Sequence, residues 1–220
     1  MLVLKDVSKS YYIENKKVEA LKNINLTINK GEFVAIIGQS GSGKSTLLNI
    51  LGCLDRQTSG EYFLCGKNVS KLSSAALSRL RGNKIGFVFQ SFNLIESLTA
   101  LENTELPLIY RGTPKNRRRR LALGALDSVG MGQRTEHIPS QLSGGQMQRV
   151  ALARALICDP DIIFADEPTG NLDFETGREV LAIFKKLSEQ GRTIVMVTHD
   201  NKIANEADRI IRISSGEIDE

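Results

Sequence analysis

Cysteine is scarce in this sequence: Cys53, Cys65 and Cys158 are an odd number, with no C-x-x-C pair and no histidine pairing nearby. That excludes a disulfide framework and a zinc site, and the three read as reduced thiols of a cytosolic protein. Long apolar runs are missing as well. None approaches the roughly 20 residues a membrane-spanning helix needs, and the opening MLVLKDVSKSYY lacks the basic-then-apolar order of a signal peptide. The chain is therefore expected to be soluble, with any membrane role coming through a partner. A net charge of +4 is too small to argue for nucleic acid by itself, though it would sit comfortably near an anionic lipid or a nucleotide. There is no internal repeat and no low-complexity stretch.

What is present is material for a core. Hydrophobic residues make up 41% and charged residues 25% of 220 positions, which excludes the disordered class and suits one domain with a subdomain. LVLKDV (2–7) and INLTI (24–28) alternate apolar and polar residues, the pattern of half-buried antiparallel strands. FVAII (33–37) is a solid apolar run, consistent with a strand buried on both faces. A helical pattern covers 46–54, EYFLCG (61–66) and KIGFVFQ (84–90) read as strands, and Ser73 or Ser74 caps a helix around 73–81. From about 94 to 155 the period becomes 3.6, with Pro107, Pro114 and Pro139 as breaks. Strands then alternate with helices again: DIIFAD (161–166), a helix near 175–189, TIVMVTH (193–199), a helix near 200–206, and RIIRIS (209–214). This predicts an α/β fold with a parallel sheet (1–93 and 156–220), an N-terminal antiparallel β subdomain and a helical insert at 94–155, all one domain over 1–220. The arginines 117–120 read as the solvated start of an amphipathic helix, and His137 as a loop residue.

Residues 38–45, GQSGSGKS, fit G-x-x-x-x-G-K-[ST]. Glycines allow the tight turn that points consecutive N–H groups at one anion, and the following helix adds its positive end. Gly38, Ser40, Gly41, Ser42, Gly43, Lys44, Ser45 and Thr46 are thus the candidate nucleotide-binding residues, with Lys44 reaching the β/γ oxygens and Ser45 ligating Mg²⁺. IIFAD delivers Asp166 to the C-terminal end of an apolar strand, in the crevice where parallel sheets bind ligands. Asp166 is the candidate Mg²⁺ ligand and Glu167 the group that polarises the attacking water. Together these define a P-loop NTPase.

Leu142-Ser143-Gly144-Gly145-Gln146, followed by QMQRVALARAL across its last residue, is a capped, glycine-opened helix start, a second terminus suited to a phosphate. This stretch resembles the signature motif of ABC-type ATPases, and motifs of that family cover essentially the whole chain in order. Gln90 matches the Q-loop glutamine, which in the family senses Mg²⁺ and water beside the transporter's coupling helix. Asn171-Leu172-Asp173 matches the D-loop at the dimer interface, His199 the switch histidine that contacts the γ-phosphate, and Tyr11 the adenine-stacking aromatic, with Tyr12 as the fallback.

The resemblance implies an ATPase whose catalytic residues are Glu167, His199, Lys44 and Gln90, and whose metal ligands are Ser45, Gln90 and Asp166. It implies an ATP-bound homodimer in which Ser143, Gly144, Gly145, Gln146 and Asp173 meet the partner chain's nucleotide. Within the family, SGSGKSTLLNILGCLDRQTSG, FVFQSFNLIESLTALEN and DEPTGNLD look like the branch serving macrolide efflux and lipoprotein release. That branch implies a separate integral-membrane permease, a periplasmic or extracellular adaptor, no direct nucleic acid, and a cytoplasmic, peripheral position on the inner face of the cell membrane. A cell-division regulator driving an extracytoplasmic hydrolase shares these motifs. A soluble nucleic-acid-associated ATPase is disfavoured because the two-domain or coiled-coil forms do not fit 220 residues.

Overall fold

In the computed structural model, residues 1–14 and 16–219 are described. Two sheets form around two large hydrophobic clusters, with a third small one of Ala35, Ile37 and Ala204. The first sheet is antiparallel, in the order β2-β1-β4-β5, built from β1 (Leu2–Ile13), β2 (Lys16–Ile28), β4 (Ser59–Leu64) and β5 (Lys67–Asn68). β1 and β2 are about twice as long as the alternating segments 2–7 and 24–28. Their distal ends form a hairpin arm that is half-buried along residues 8–11 and exposed along 16–19, so no fully buried face imposes alternation there.

The second sheet has six strands in the order β10-β9-β3-β8-β7-β6. Its members are β3 (Phe33–Ile37), β6 (Ile85–Phe89), β7 (Ile162–Asp166), β8 (Thr193–Val197), β9 (Arg209–Ser214) and β10 (Glu217–Asp219). All pairings are parallel except β9 with β10, an edge hairpin that the apolar pattern does not announce. Strands β3 and β8 are buried at every position, and their alternate residues serve opposite faces. Val34, Ile36, Phe164 and Val195 join the cluster against the antiparallel sheet and α1 (Lys44–Leu51). Phe33, Ile163, Ala165, Ile194 and Met196 join the cluster against α4 (Lys115–Ser128), α5 (Gly144–Leu156) and α6 (Phe174–Glu189).

Local chemistry sets the helix ends. Ser73, not Ser74, caps α2 (Ser74–Lys84) by accepting from the Ala76 N–H. Thr99 and Glu102 form a reciprocal capping box at the start of α3 (Ala100–Tyr110). Pro107 was expected to break the helical pattern but lies inside α3. It sits in the last turn, so its missing N–H costs one bond near the helix end, where fraying would cost little anyway. α1 begins at Lys44 and ends at Leu51, not 46–54, because Gly43 supplies a left-handed cap and Cys53 turns back with φ 56°. The helix expected at 200–206 is one turn, α7 (Asn201–Ala204), capped by Asp200. Of the arginine run, Arg118 pairs with buried Glu105, while Arg117, Arg119 and Arg120 are exposed.

Candidate active site

Parallel register decides which residues meet. Phe89 stands opposite Asp166, and Asp166 opposite Val197, while Ile36 also stands opposite Val197. The residues that follow these strand ends therefore converge on one edge of the sheet: Gly38 after β3, Gln90 after β6, Glu167 after β7 and His199 after β8. Gly38, Gln39, Ser40 and His199 line one open cleft of about 580 Å³.

The loop from Gly38 to Ser45 is held by close approach. A Cβ on Gly38 would stand 2.2 Å from the Ile213 carbonyl oxygen on β9, and one on Gly43 would stand 2.6 Å from that of Ala20. Gly41 and Gly43 have φ 77° and 107°, which only glycine adopts freely. Lys44 is 8% exposed, and its ammonium donates to the carbonyls of Gly38 and Gln39 at 2.7 and 2.8 Å. The Ser42 hydroxyl is buried without a partner, an oddity that a polar ligand in the cradle would remove. Ser45 is exposed and Thr46 half-buried on the first turn of α1, where helix N–H groups lack intrahelical acceptors.

Burial, reinforced by the neighbouring Glu167 and opposed by Lys44, pushes the Asp166 carboxyl above the usual range. Among the described residues no cluster of three histidine, cysteine or carboxylate groups could hold a metal by itself. Ser45, Gln90 and Asp166 instead offer a few hard oxygen donors, which fits an ion such as Mg²⁺ that completes its shell with phosphate and water.

Glu167 adopts φ 43°, donates its N–H to the Val197 carbonyl at 2.9 Å, and sets its Oε2 2.9 Å from His199 Nδ1. Gln90 and Asn171 form a reciprocal pair. The Gln90 amide donates to Asn171 Oδ1 at 3.1 Å, and the Asn171 amide donates to the Gln90 backbone carbonyl at 3.1 Å. Gly170 permits this, since a Cβ there would stand 2.7 Å from the Gln90 nitrogen and 3.3 Å from Glu167 Oε2. Arg154 of α5 fastens the next segment through the carbonyls of Phe92 and Asn93.

Tyr11 lies beside α1. Its hydroxyl donates to Asp55 at 2.8 Å, Lys9 lies 4.7 Å above its ring, and burial raises its pKa. Tyr12 is 76% exposed. Asp55 itself follows no motif and is not legible as a site residue in the sequence. Burial alone would raise its pKa, but bonds from Lys9, Tyr11 and the Arg56 N–H hold it below the ordinary value.

The 142–146 segment stands apart from this cleft. Ser143 caps α5 by accepting from the Gln146 N–H, and the Gln146 side chain returns to the Ser143 N–H. Ser143, Gly145 and Gln146 line a separate cleft with Arg149, Thr176 and Glu179. Gly144 packs near Leu172, and Asp173 caps α6 by accepting from the Thr176 N–H; the Thr176 side chain, and then that N–H, draw its carboxyl pKa down.

The family profile described as ABC transporter matches residues 21–170. An uncharacterized ABC transporter ATP-binding protein of Thermotoga maritima is 54% identical over 219 residues, covering 100% of this chain and 94% of that protein. The macrolide export ATP-binding/permease protein MacB of Bartonella henselae is 53% identical over 218 residues, of which this chain spans 33% of the longer protein. Among solved structures, the ATP-binding cassette MJ0796, in a dimeric post-hydrolysis state bound to ADP and Pi, superposes with a TM-score of 0.91. It is 48% identical, covering 100% of this chain and 97% of that one. The chain belongs to the ABC transporter family as an ATP-binding cassette. It is an ATPase of the α/β class with close relatives among macrolide exporters.

Proposed function

We propose that this chain is the motor subunit of an exporter. It pairs with a second copy of itself around ATP and drives a separate integral-membrane permease from the inner face of the membrane, with an extracytoplasmic adaptor as a further component. The observation that carries this reading is the separation of two half-sites on one chain. The cleft of Gly38, Ser40 and His199 shares no residue with the cleft of Ser143, Gly145 and Gln146. A capped helix start facing its own cleft is suited to the phosphates held by a partner's loop. Among the described residues no helix is long and apolar enough to cross a membrane. The division of the chain into a core of 1–93 and 156–220 with a helical unit of 94–155 belongs to the same reading.

In this reading the N–H groups from Ser40 to Thr46 cradle the phosphates, and Lys44 exchanges its two carbonyl acceptors for phosphate oxygens. Ser45, Gln90 and Asp166 hold Mg²⁺, which supplies neutralising charge to the phosphates when bound. Glu167 orients and deprotonates the attacking water, and its bond to His199 fixes the direction of the carboxylate. His199 faces the γ-phosphate, Tyr11 stacks on adenine, and Asp173 stands at the interface with the partner. Export as the direction rests on the macrolide-export relatives.

Lys44→Ala tests the loop assignment. Fluorescence titration with a labelled ATP analogue is expected to show affinity reduced at least about tenfold, the scale of losing one charged phosphate contact. Affinity equal to the unaltered chain would contradict the assignment.

A further inference from the structure

Gln148 lies in α5 one turn past the Ser143 cap, and it is fully buried. Its amide donates to the Pro168 carbonyl at 2.6 Å, across 20 residues of sequence. A carbonyl can only accept, so this bond fixes which end of the amide faces Pro168. The other end, Oε1, is buried with no partner. A buried polar atom without a partner costs stability, so an apolar side chain of the same volume would serve packing at least as well. The amide must be explained by what it ties together.

One end of that tie is the helix whose start carries Ser143 and Gln146. The other is the turn immediately after Glu167, braced by the Gly170 N–H on the Glu167 carbonyl and the Leu172 N–H on the Thr169 carbonyl. No other side chain donates to the Pro168 carbonyl among the described residues. The surroundings reinforce the tie: a Cβ on Gly145 would stand 2.0 Å from the Thr176 methyl, so the start of α5 lies directly on α6.

We infer that Gln148 is a positioning residue for hydrolysis, holding the Glu167 turn of one half-site in register with the Ser143 helix start of the other half-site on the same chain. The inference rests on the roles proposed above for Glu167 and Ser143. When a partner's nucleotide engages the start of α5, the Gln148 bond passes that placement to the turn that aims the water-activating carboxylate.

Gln148→Met tests this in the full chain. It removes the lone oxygen and leaves one carbonyl unpaired, so the two changes offset each other and the melting temperature is expected to move by about 3 °C or less. The kcat is expected to fall about tenfold or more, as misplacement of a catalytic group does, with the KM for ATP within about twofold. Amide hydrogen exchange at Gly170 and Leu172 rises while exchange in α5 does not. An unchanged kcat would overturn the inference. So would a kcat loss matched by lost monomer nucleotide binding or a large drop in melting temperature, which would make Gln148 a packing residue only. If Gln148→Met does not fold, Gln148→Leu is read by the same criteria, and failure of both to fold also overturns it. Glu167→Gln is run alongside: if it hydrolyses ATP at the unaltered rate, the underlying reading of Glu167 fails, whatever Gln148 does.

Discussion

Tyr11, the proposed adenine-stacking residue, shows how a single aromatic side chain is held in place. Lys9 covers one side of the ring, and the hydroxyl is anchored on Asp55, so the ring cannot swing. The anchor is an ionised carboxylate, which gives a pH prediction with a definite sign. The Asp55 pKa is lower folded than unfolded, so its stabilisation is present above the unfolded carboxylate pKa and is lost as pH falls through the folded one. Asp55→Asn is therefore expected to lower the melting temperature at pH 7, with the gap to the unaltered chain closing as the pH falls below the ordinary aspartate range. A gap that stayed constant across the titration would contradict the ionic anchor. At this scale the sequence revealed the residues that end strands, since Asp166 and His199 each close a readable apolar run. It did not reveal partnerships. Tyr11 with Asp55, Gln90 with Asn171 and Gln148 with Pro168 join positions 44, 81 and 20 residues apart, and no period or motif marks such pairs.

The elements carry their own tests. The phosphate loop is bolted between β3 and β9, and two of its glycines are needed for different reasons. Gly38→Ala drives a methyl into the Ile213 carbonyl and is expected to lower melting temperature and ATP affinity together. Gly41→Ala meets nothing within 4 Å and has only its left-handed backbone to contend with, a cost of about 1–2 kcal/mol. Calorimetry of the two variants separates the steric case from the backbone case, and equal losses would contradict it. Ser143→Ala removes the α5 cap, worth about 0.5–2 kcal/mol, and is expected to lower the melting temperature by roughly 1–8 °C for a chain this size. The core strands were legible because burial on both faces leaves unbroken apolar runs. The hairpin arm of β1 and β2, the edge strand β10 and the position of Pro107 were not. A hairpin arm with no fully buried residue among those described needs no alternation, a three-residue edge strand with one apolar residue, Ile218, is too short to show a period, and a proline in a last helical turn costs too little to end the helix.

At the scale of the whole molecule the account makes one demand: a single chain holds two halves of different catalytic sites, so hydrolysis requires two chains. The ADP- and Pi-bound relative is itself dimeric, which is the assembly this arrangement would need. Gln148 then matters because it lies between the two halves within one chain. Glu167 is the residue through which to test the demand, because the proposed function makes it the group that activates water, and its Oε2 lies 2.9 Å from His199 Nδ1. Glu167→Gln keeps the shape and the loop, and it removes the base. Sedimentation velocity of this variant with saturating ATP and Mg²⁺ is the most direct measurement. The account predicts a stable dimer that reverts to monomer when the nucleotide is removed. A variant that binds ATP and remains monomeric would contradict it.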